Sequence, residues 1–516
     1  MDRFLSSLFL LLSLEVVSAG NVLFGGMHAS QSHIGSMMPF AVRMTQENHS
    51  VHFLESYTLP NSYRFPPCIT PHFFKLPGDE IYTRQVLGLM WTRTYDAEVM
   101  SQVYSVADKT FLDIMKTYPE KIGGLLNASW DLQVVDELFG LTSMGLALKH
   151  KKKNRTIIQS TTSTINAYTW EMGLVLQRLF INLSTPLPPP FSLVSQRRQP
   201  QVRRIQVLHA ASHYHHWNSR LRDLSSDPRT LQRGRHESHR NPRFSFFKLW
   251  NESAFNFIEE ITTFIFPSPI SNDIKAVGKS CKKAKSLNKE FLDFVDDPMS
   301  KGTIYIAFGT NVLWEFAPEY IMKAFFNTID RLADYRVVFT YNGLKINKTI
   351  PGHVKIVSWS PQLDLLSHKR TKLYITHGGL KSVKEAICTS TPLVILPLFA
   401  EQTFNAALAL KLGIGKSLNK YTLTEDKLYK SIISVLEEPK YAAAVAKHSQ
   451  MFTDLPIPAL DEGAFYANRA IRLKDEILTL RLRVQTELVC GSARTYCHNL
   501  CGCLGFVEFV MGLMKD

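Results

Sequence analysis

The residues best suited to do chemistry crowd into one stretch of the second half of the chain. Trp359-Ser-Pro-Gln362-Leu-Asp-Leu-Leu366 is followed by Thr376-His377-Gly378-Gly379-Leu-Lys381-Ser382-Val-Lys-Glu385-Ala386 and then by Pro397-Leu-Phe-Ala-Glu401-Gln402. A glycine pair at the end of an apolar run lets the backbone approach a ligand closely, and a helix starting there offers unpaired N–H groups to an anion. An imidazole at that mouth can hydrogen-bond a phosphate, Trp359 can stack on a base, and Gln362 can read a base edge. Taken singly, Gly378-Gly379 is a turn and Trp359 a core aromatic. At this spacing, the set is hard to read as unrelated residues.

The elements that must hold these groups alternate. Thr303–Phe308 reads as a buried strand ending in Gly309-Thr310, followed by strands at Tyr335–Thr340, His353–Val357, Leu373–Thr376 and Pro392–Pro397. Helical stretches fall between them at Glu319–Ala333, Leu380–Cys388 and Thr403–Leu412. The first half reads the same way, with strands at Asn21–Phe24, Val51–Leu54, Leu132–Val135 ending at Asp136, and Thr156–Ile158, and a helix over Ser32–Met44. Strands separated by helices predict parallel sheets covered on both faces, hence two Rossmann-like α/β domains facing a cleft and joined between Pro267 and Leu287. In such sheets ligands bind beyond the carboxyl ends of the strands.

Composition sets the outer bounds. A chain of 516 residues with 45% apolar and 20% charged residues is a multidomain globular protein, not a disordered, collagenous or disulfide-packed one. The net charge of +14 is concentrated: Phe191–Phe247 holds eleven Arg, no Lys and three acidic residues, leaving +6 on the other 459. That pattern has no basic stripe with interleaved aromatics, so no nucleic-acid partner is expected. The same segment carries six of the seventeen His, and His213-Tyr-His-His216 lacks the patterned acidic or Cys partners of a metal site. The segment reads as a disordered insert or as sequence foreign to the true transcript. Residues 1–19 read as a secretory signal, and six sequons (Asn48, Asn127, Asn154, Asn182, Asn251, Asn347) fit a lumenal or extracellular chain. Seven cysteines are few for a disulfide framework, and Cys490, Cys497, Cys501 and Cys503 beside His498 lack the paired knuckles of a zinc site. Leu500–Met514 is short and interrupted by Glu508, against about 20 apolar residues needed for a membrane span. Lys151–Lys153 and Lys282-Lys283 read as solvated surface.

From Ser300 to Asn468 above all, the sequence resembles the UDP-glycosyltransferase family, in particular the UDP-glucuronosyltransferases of the animal secretory pathway. The resemblance spans the mature chain apart from Phe191–Phe247 and the tail after about Glu476. It implies a GT-B architecture: an acceptor-binding domain over residues 20–275, a UDP-sugar-binding domain over 276–455, a helical segment over 456–487 and a Cys-rich tail over 488–516. By the same resemblance Trp359 stacks on uracil, Gln362 contacts the nucleoside, and His377, Gly379 and Ser382 bind the diphosphate. Glu385 holds the ribose, Glu401 and Gln402 hold the sugar, and Gly309-Thr310 forms the phosphate loop of the first donor-domain strand. In the first domain His33 matches the catalytic base and Asp136 its partner, while His28, five residues earlier, is the rival base off the family position. The implied reaction is inverting and metal-independent, with UDP-sugar as co-substrate, no cofactor, and a small lipophilic hydroxyl compound as acceptor.

This chain departs from the family at three places. Lys381 stands where Asn is common, Glu401 replaces the usual Asp before Gln402, and Phe191–Phe247 with the tail replaces acceptor-site structure and a membrane anchor. Glucuronic acid and glucose are both left open as the donor sugar, as are homo- and hetero-oligomers. Residence in the endoplasmic reticulum lumen or membrane, or secretion, is expected, and membrane association is left open although no convincing transmembrane helix is read from the sequence. Two rivals stand beside the transferase reading: a non-catalytic homologue that binds UDP-sugar or a lipophilic ligand, and a regulatory partner of an active relative. A nicotinamide oxidoreductase is disfavoured, because no Gly-x-Gly-x-x-Gly follows a strand with an acidic residue about 20 positions on.

Overall fold

The computed structural model describes residues 19–58, 62–78, 87–93, 109–138, 140–149, 156–161, 253–259 and 273–473. The signal segment to residue 18, Phe191–Phe247, the Cys-rich tail and the sequons at Asn154, Asn182 and Asn251 lie outside these residues.

The first half forms strands β1 (Asn21–Gly25), β2 (Ser50–Tyr57), β3 (Thr70–Lys75), β4 (Leu132–Asp136), β5 (Thr156–Ser160), β6 (Phe255–Ile258) and β7 (Ile274–Ala276). All pair in parallel, in the order β3-β2-β1-β4-β5-β6-β7. The second half forms β8 (Thr303–Ala307), β9 (Arg336–Thr340), β10 (Val354–Val357), β11 (Thr371–Thr376), β12 (Leu393–Ile395) and β13 (Gly415–Ser417), again parallel, in the order β10-β9-β8-β11-β12-β13. Strands such as Val134-Val135 and Ile304–Ile306 are apolar through their length because helices cover both faces. The expected strand Pro392–Pro397 shortens to Leu393–Ile395, since neither proline can donate to a ladder, and β13 closes the series beyond it.

The helices include α1 (Gln31–Gln46), α2 (Pro119–Asn127), α3 (Leu141–Lys149), α4 (Lys289–Val295), α5 (Glu319–Asp330), α6 (Gln362–Leu366), α7 (Leu380–Cys388), α8 (Gln402–Leu412), α9 (Glu425–Glu437), α10 (Pro439–Phe452) and α11 (Ala459–Leu473). Local chemistry starts several of them. The Asn288 side chain accepts the Phe291 N–H ahead of α4, and the Thr424 hydroxyl accepts the Lys427 N–H ahead of α9.

In each sheet the strand order reverses direction between two neighbours: β1 and β4 in the first, β8 and β11 in the second. Loops leaving such a pair diverge to opposite faces and open a crevice at the carboxyl edge. Two elements cross between the halves. Helix α11 returns to the first sheet, burying Ala464, Ala467, Ala470 and Ile471 against Phe40 and Phe257, with Asn468 hydrogen-bonded to His49 and Glu47. In the other direction Trp91 is fully buried among Phe308, Trp314 and Phe325 of the second half and donates its indole N–H to Leu313 O. The Lys420 ammonium donates to Met90 O, Arg93 O and Leu398 O, fixing the same segment. A disulfide joins Cys281, in the connection between the halves, to Cys388 at the end of α7.

Candidate active site

At the first reversal, β1 delivers the loop that leads into α1, and β4 ends on Asp136. His33, in the first turn of α1, is buried, and its Nδ1 lies 2.8 Å from Asp136 Oδ2. Asp136 is fully buried and is pinned further by the amides of Met27 and Leu138, at 3.1 Å each. Thr161, one residue past β5, donates its hydroxyl to Asp136 Oδ1 and lies 2.7 Å from His33 Nδ1. With Nδ1–H directed at the carboxylate, Nε2 is the unprotonated nitrogen, so the ring is set as a base. Burial works to lower the affinity of His33 for a proton, but the Asp136 charge and hydrogen bond, with the charges of Glu401 and Glu259, outweigh it and raise the pKa above the ordinary histidine value. His28 contrasts with this: burial lowers it to about 4, against the opposing hydrogen bond with Ser56, and its ring Nδ1 lies against the Ser56 hydroxyl instead of a carboxylate.

At the second reversal, β8 ends at Gly309-Thr310 and β11 at Thr376, followed by His377-Gly378-Gly379 and α7. The imidazole of His377 lies between the two glycine loops: a Cβ on Gly379 would stand 2.7 Å from His377 Nε2, and one on Gly309 would stand 3.2 Å from it. Gly309 also has φ +73°, a left-handed value that suits glycine. Any larger residue at these two positions would occupy the space beside the ring. Burial lowers His377 to about 4, so at neutral pH the ring is uncharged and has one N–H to give. Gly379 caps α7, whose first amides point the same way, and an anion at that mouth meets both the amides and the helix dipole.

The other expected ligands divide. Trp359 is 69% exposed, a free face for stacking at the edge of the crevice, and Thr310 is exposed at the mouth. Gln362 is committed internally: its Oε1 accepts from Tyr374 OH at 2.9 Å, and its Nε2 donates to Glu385 Oε2 at 2.7 Å, so it orients the carboxylate of Glu385. Ser382 is buried with its hydroxyl against Tyr374 OH, and Gln402 Oε1 accepts from the backbone N–H groups of Leu398 and Phe399, tying down the loop ahead of α8. Glu401, the residue before α8, is brought near His33 of the other half; burial raises its pKa, opposed by its own backbone hydrogen bond and by His33. Lys282 is exposed, as expected, and from the surface it donates to Gly35 O at 3.2 Å. Among the described residues no three His, Cys, Asp or Glu side chains are grouped as a bound metal ion would need. Thr161 and Glu259 escape a sequence reading because each follows a strand without a motif of its own.

Residues 241–484 match the family model of UDP-glucoronosyl and UDP-glucosyl transferases. A UDP-glucuronosyltransferase of Pleuronectes platessa is 31% identical over 232 residues, covering 44% of this chain and 48% of that protein. One from Oryctolagus cuniculus is 33% identical over 212 residues, covering 40% and 39% respectively. The match thus spans less than half the length of these relatives. Among solved structures, the kitacinnamycin glycosyltransferase superposes with a TM-score of 0.56 at 15% identity, covering 88% of this chain and 99% of that one. A UDP-glucosyltransferase from Polygonum tinctorium gives 0.54 at 16% identity, covering 89% and 99%. The fold of both halves is therefore GT-B, and the second half is UDP-glucuronosyltransferase-like in sequence as well.

Proposed function

We propose that this UDP-glucuronosyltransferase-like chain transfers a glucuronosyl or hexosyl group from a UDP-sugar to a hydroxyl of a small lipophilic acceptor, with inversion. The observation that carries the reading is the carboxylate-backed imidazole of His33 at the carboxyl edge of one sheet, together with His377 set between two glycine loops at the carboxyl edge of the other. His33 Nε2 takes the acceptor proton as the oxygen attacks the anomeric carbon, and Asp136 stabilises the imidazolium that results. Attack comes from the face opposite UDP, so an α-linked donor yields a β-glycoside. Charge builds on the departing diphosphate, where the α7 amides, His377 and Thr310 stand ready to receive it. Trp359 stacks on uracil, and Glu385, held by Gln362, takes the ribose. Glu401 and Gln402 line the sugar position. Glucuronic acid and glucose both remain candidates for the donor sugar.

A lumenal secretory-pathway location goes with this reading. It is supported by the signal-like N-terminus, by exposed sequons at Asn48, Asn127 and Asn347, and by the Cys281–Cys388 disulfide, which belongs to an oxidising compartment. Among the described residues no helix is long and apolar enough to cross a membrane. The test is calorimetric titration with UDP followed by assay of UDP-glucuronic acid and UDP-glucose against phenolic acceptors. UDP binding that disappears in His377→Ala, with β-linked product from one donor, is expected. A folded protein that binds UDP without forming product from any donor and acceptor would leave a binding homologue in place of a transferase.

A further inference from the structure

Lys384 lies in α7, the helix at whose start the donor anion site stands, and Glu259 follows β6 in the opposite half. Lys384 Nζ is 3.4 Å from Glu259 Oε2, and the two side chains are 14% and 7% exposed, so the pair is an almost dry contact between the two halves. Glu259 is held on its own side: its amide donates to Ser160 O, its other oxygen accepts from Gln159 Nε2 at 3.3 Å, and the connecting segment bonds back beside it through Gly278 N to Ile258 O. Glu259 is also one of the three carboxylates whose charge reaches His33. The donor helix therefore places a lysine against a carboxylate whose charge acts on the base.

We propose that Glu259 and Lys384 are positioning residues: their ion pair holds the donor helix in register with the half that carries His33. The inference rests on reading His33 as the base. Asp136 from β4 and Thr161 after β5 contact His33, and the charges of Glu401, just before α8, and of Glu259, after β6, act on it. Lys282 and Lys381 come to Gly35 in the same turn of α1, the latter with its ammonium 2.8 Å from where a Cβ on Gly35 would stand. Of these, Glu259 is the carboxylate whose lysine partner comes from across the interface. Lys384 thus stands against a carboxylate whose charge favours the protonated form of His33.

The two partners make opposite predictions, which a purely structural contact does not. The full chain carrying 13C-labelled histidine is titrated by NMR, with the His33 resonance assigned by its loss in His33→Gln. Glu259→Gln, which keeps the bond to Gln159, is expected to lower the His33 midpoint by about half a unit or more, and Lys384→Met to raise it by a similar amount. In the transfer assay both variants are expected to lose at least tenfold in kcat with UDP affinity retained, and Lys384→Arg to restore most of it. Midpoints that stay put, or that move the same way in both variants, overturn the inference. The titration needs no turnover, so a wild-type chain that transfers nothing would remove the transferase reading while the midpoints still decide this one.

Discussion

Removing the Cys281–Cys388 disulfide tests how the second half is held to the connecting segment. The bond closes a loop of 107 residues, with the two Cα atoms 5.6 Å apart. Cross-linking residues that far apart restricts the unfolded chain by ~16 cal/mol/K, which is ~4.8 kcal/mol at 25 °C in the chain-entropy treatment. Against a total stability of about 5–15 kcal/mol for a typical domain, that is a third or more. Because the effect acts mainly on the unfolded ensemble, the double variant Cys281→Ala/Cys388→Ala is expected to lose about 3–5 kcal/mol and to unfold with a steeper urea dependence, since the freed chain exposes more surface. Urea titration followed by tryptophan fluorescence reads both quantities. The same variant frees the segment carrying Lys282, whose bond to Gly35 O spans the halves. A loss below about 1 kcal/mol with an unchanged urea slope would refute the reasoning, because the cross-link would then have constrained little in the unfolded state.

Asp136→Asn removes the acceptor that directs His33 Nδ1–H and is expected to cut turnover by about a thousandfold or more while UDP titrations stay unchanged. Trp359→Ala should leave thermal stability alone, given its exposure, yet weaken UDP by about 5- to 150-fold, the equivalent of ~1–3 kcal/mol of stacking; Trp359→Phe should recover part of it. Gly379→Ala places a Cβ 2.7 Å from His377 Nε2 and should weaken UDP binding by about tenfold or more, measured by calorimetry. The pKa of His33 is raised and its neutral form is the base, so kcat/KM should climb with pH through a midpoint above about 6.5. His28, His72 and His377 are each lowered to about 4, so the unfolded chain takes up their protons first, and the stability they contribute should fall as pH drops from about 6.5 towards 4 in urea titrations at stepped pH.

The second half was the more legible from sequence because its strands are long, apolar and punctuated. Thr303–Phe308, Leu373–Thr376 and Leu380–Cys388 fall within a residue or two of the elements observed, and the glycines after them lie where the topology opens a crevice. Short edge strands such as β3, β7 and β13 escaped, since three to six half-buried residues carry little periodicity. The site residues were legible as types, but their partners were not. Nothing local to Gln362 says that its amide will be spent on Glu385 and Tyr374, or that Gln402 will hold the loop at Leu398 and Phe399. Thr161, Glu259 and Trp91 matter through contacts that only the tertiary structure creates. The Cys281–Cys388 bond is of the same kind, because a separation of 107 residues leaves no spacing to read.

The central claim is that one half supplies the base and the other the donor site, and His33→Gln separates the two most directly. With UDP-sugar saturating and acceptor in excess, the variant is expected to bind UDP as tightly as wild type and to form product at least a thousandfold more slowly. Product formation at the wild-type rate in His33→Gln, with UDP still bound, would contradict the account and take the proton from the acceptor by some other group.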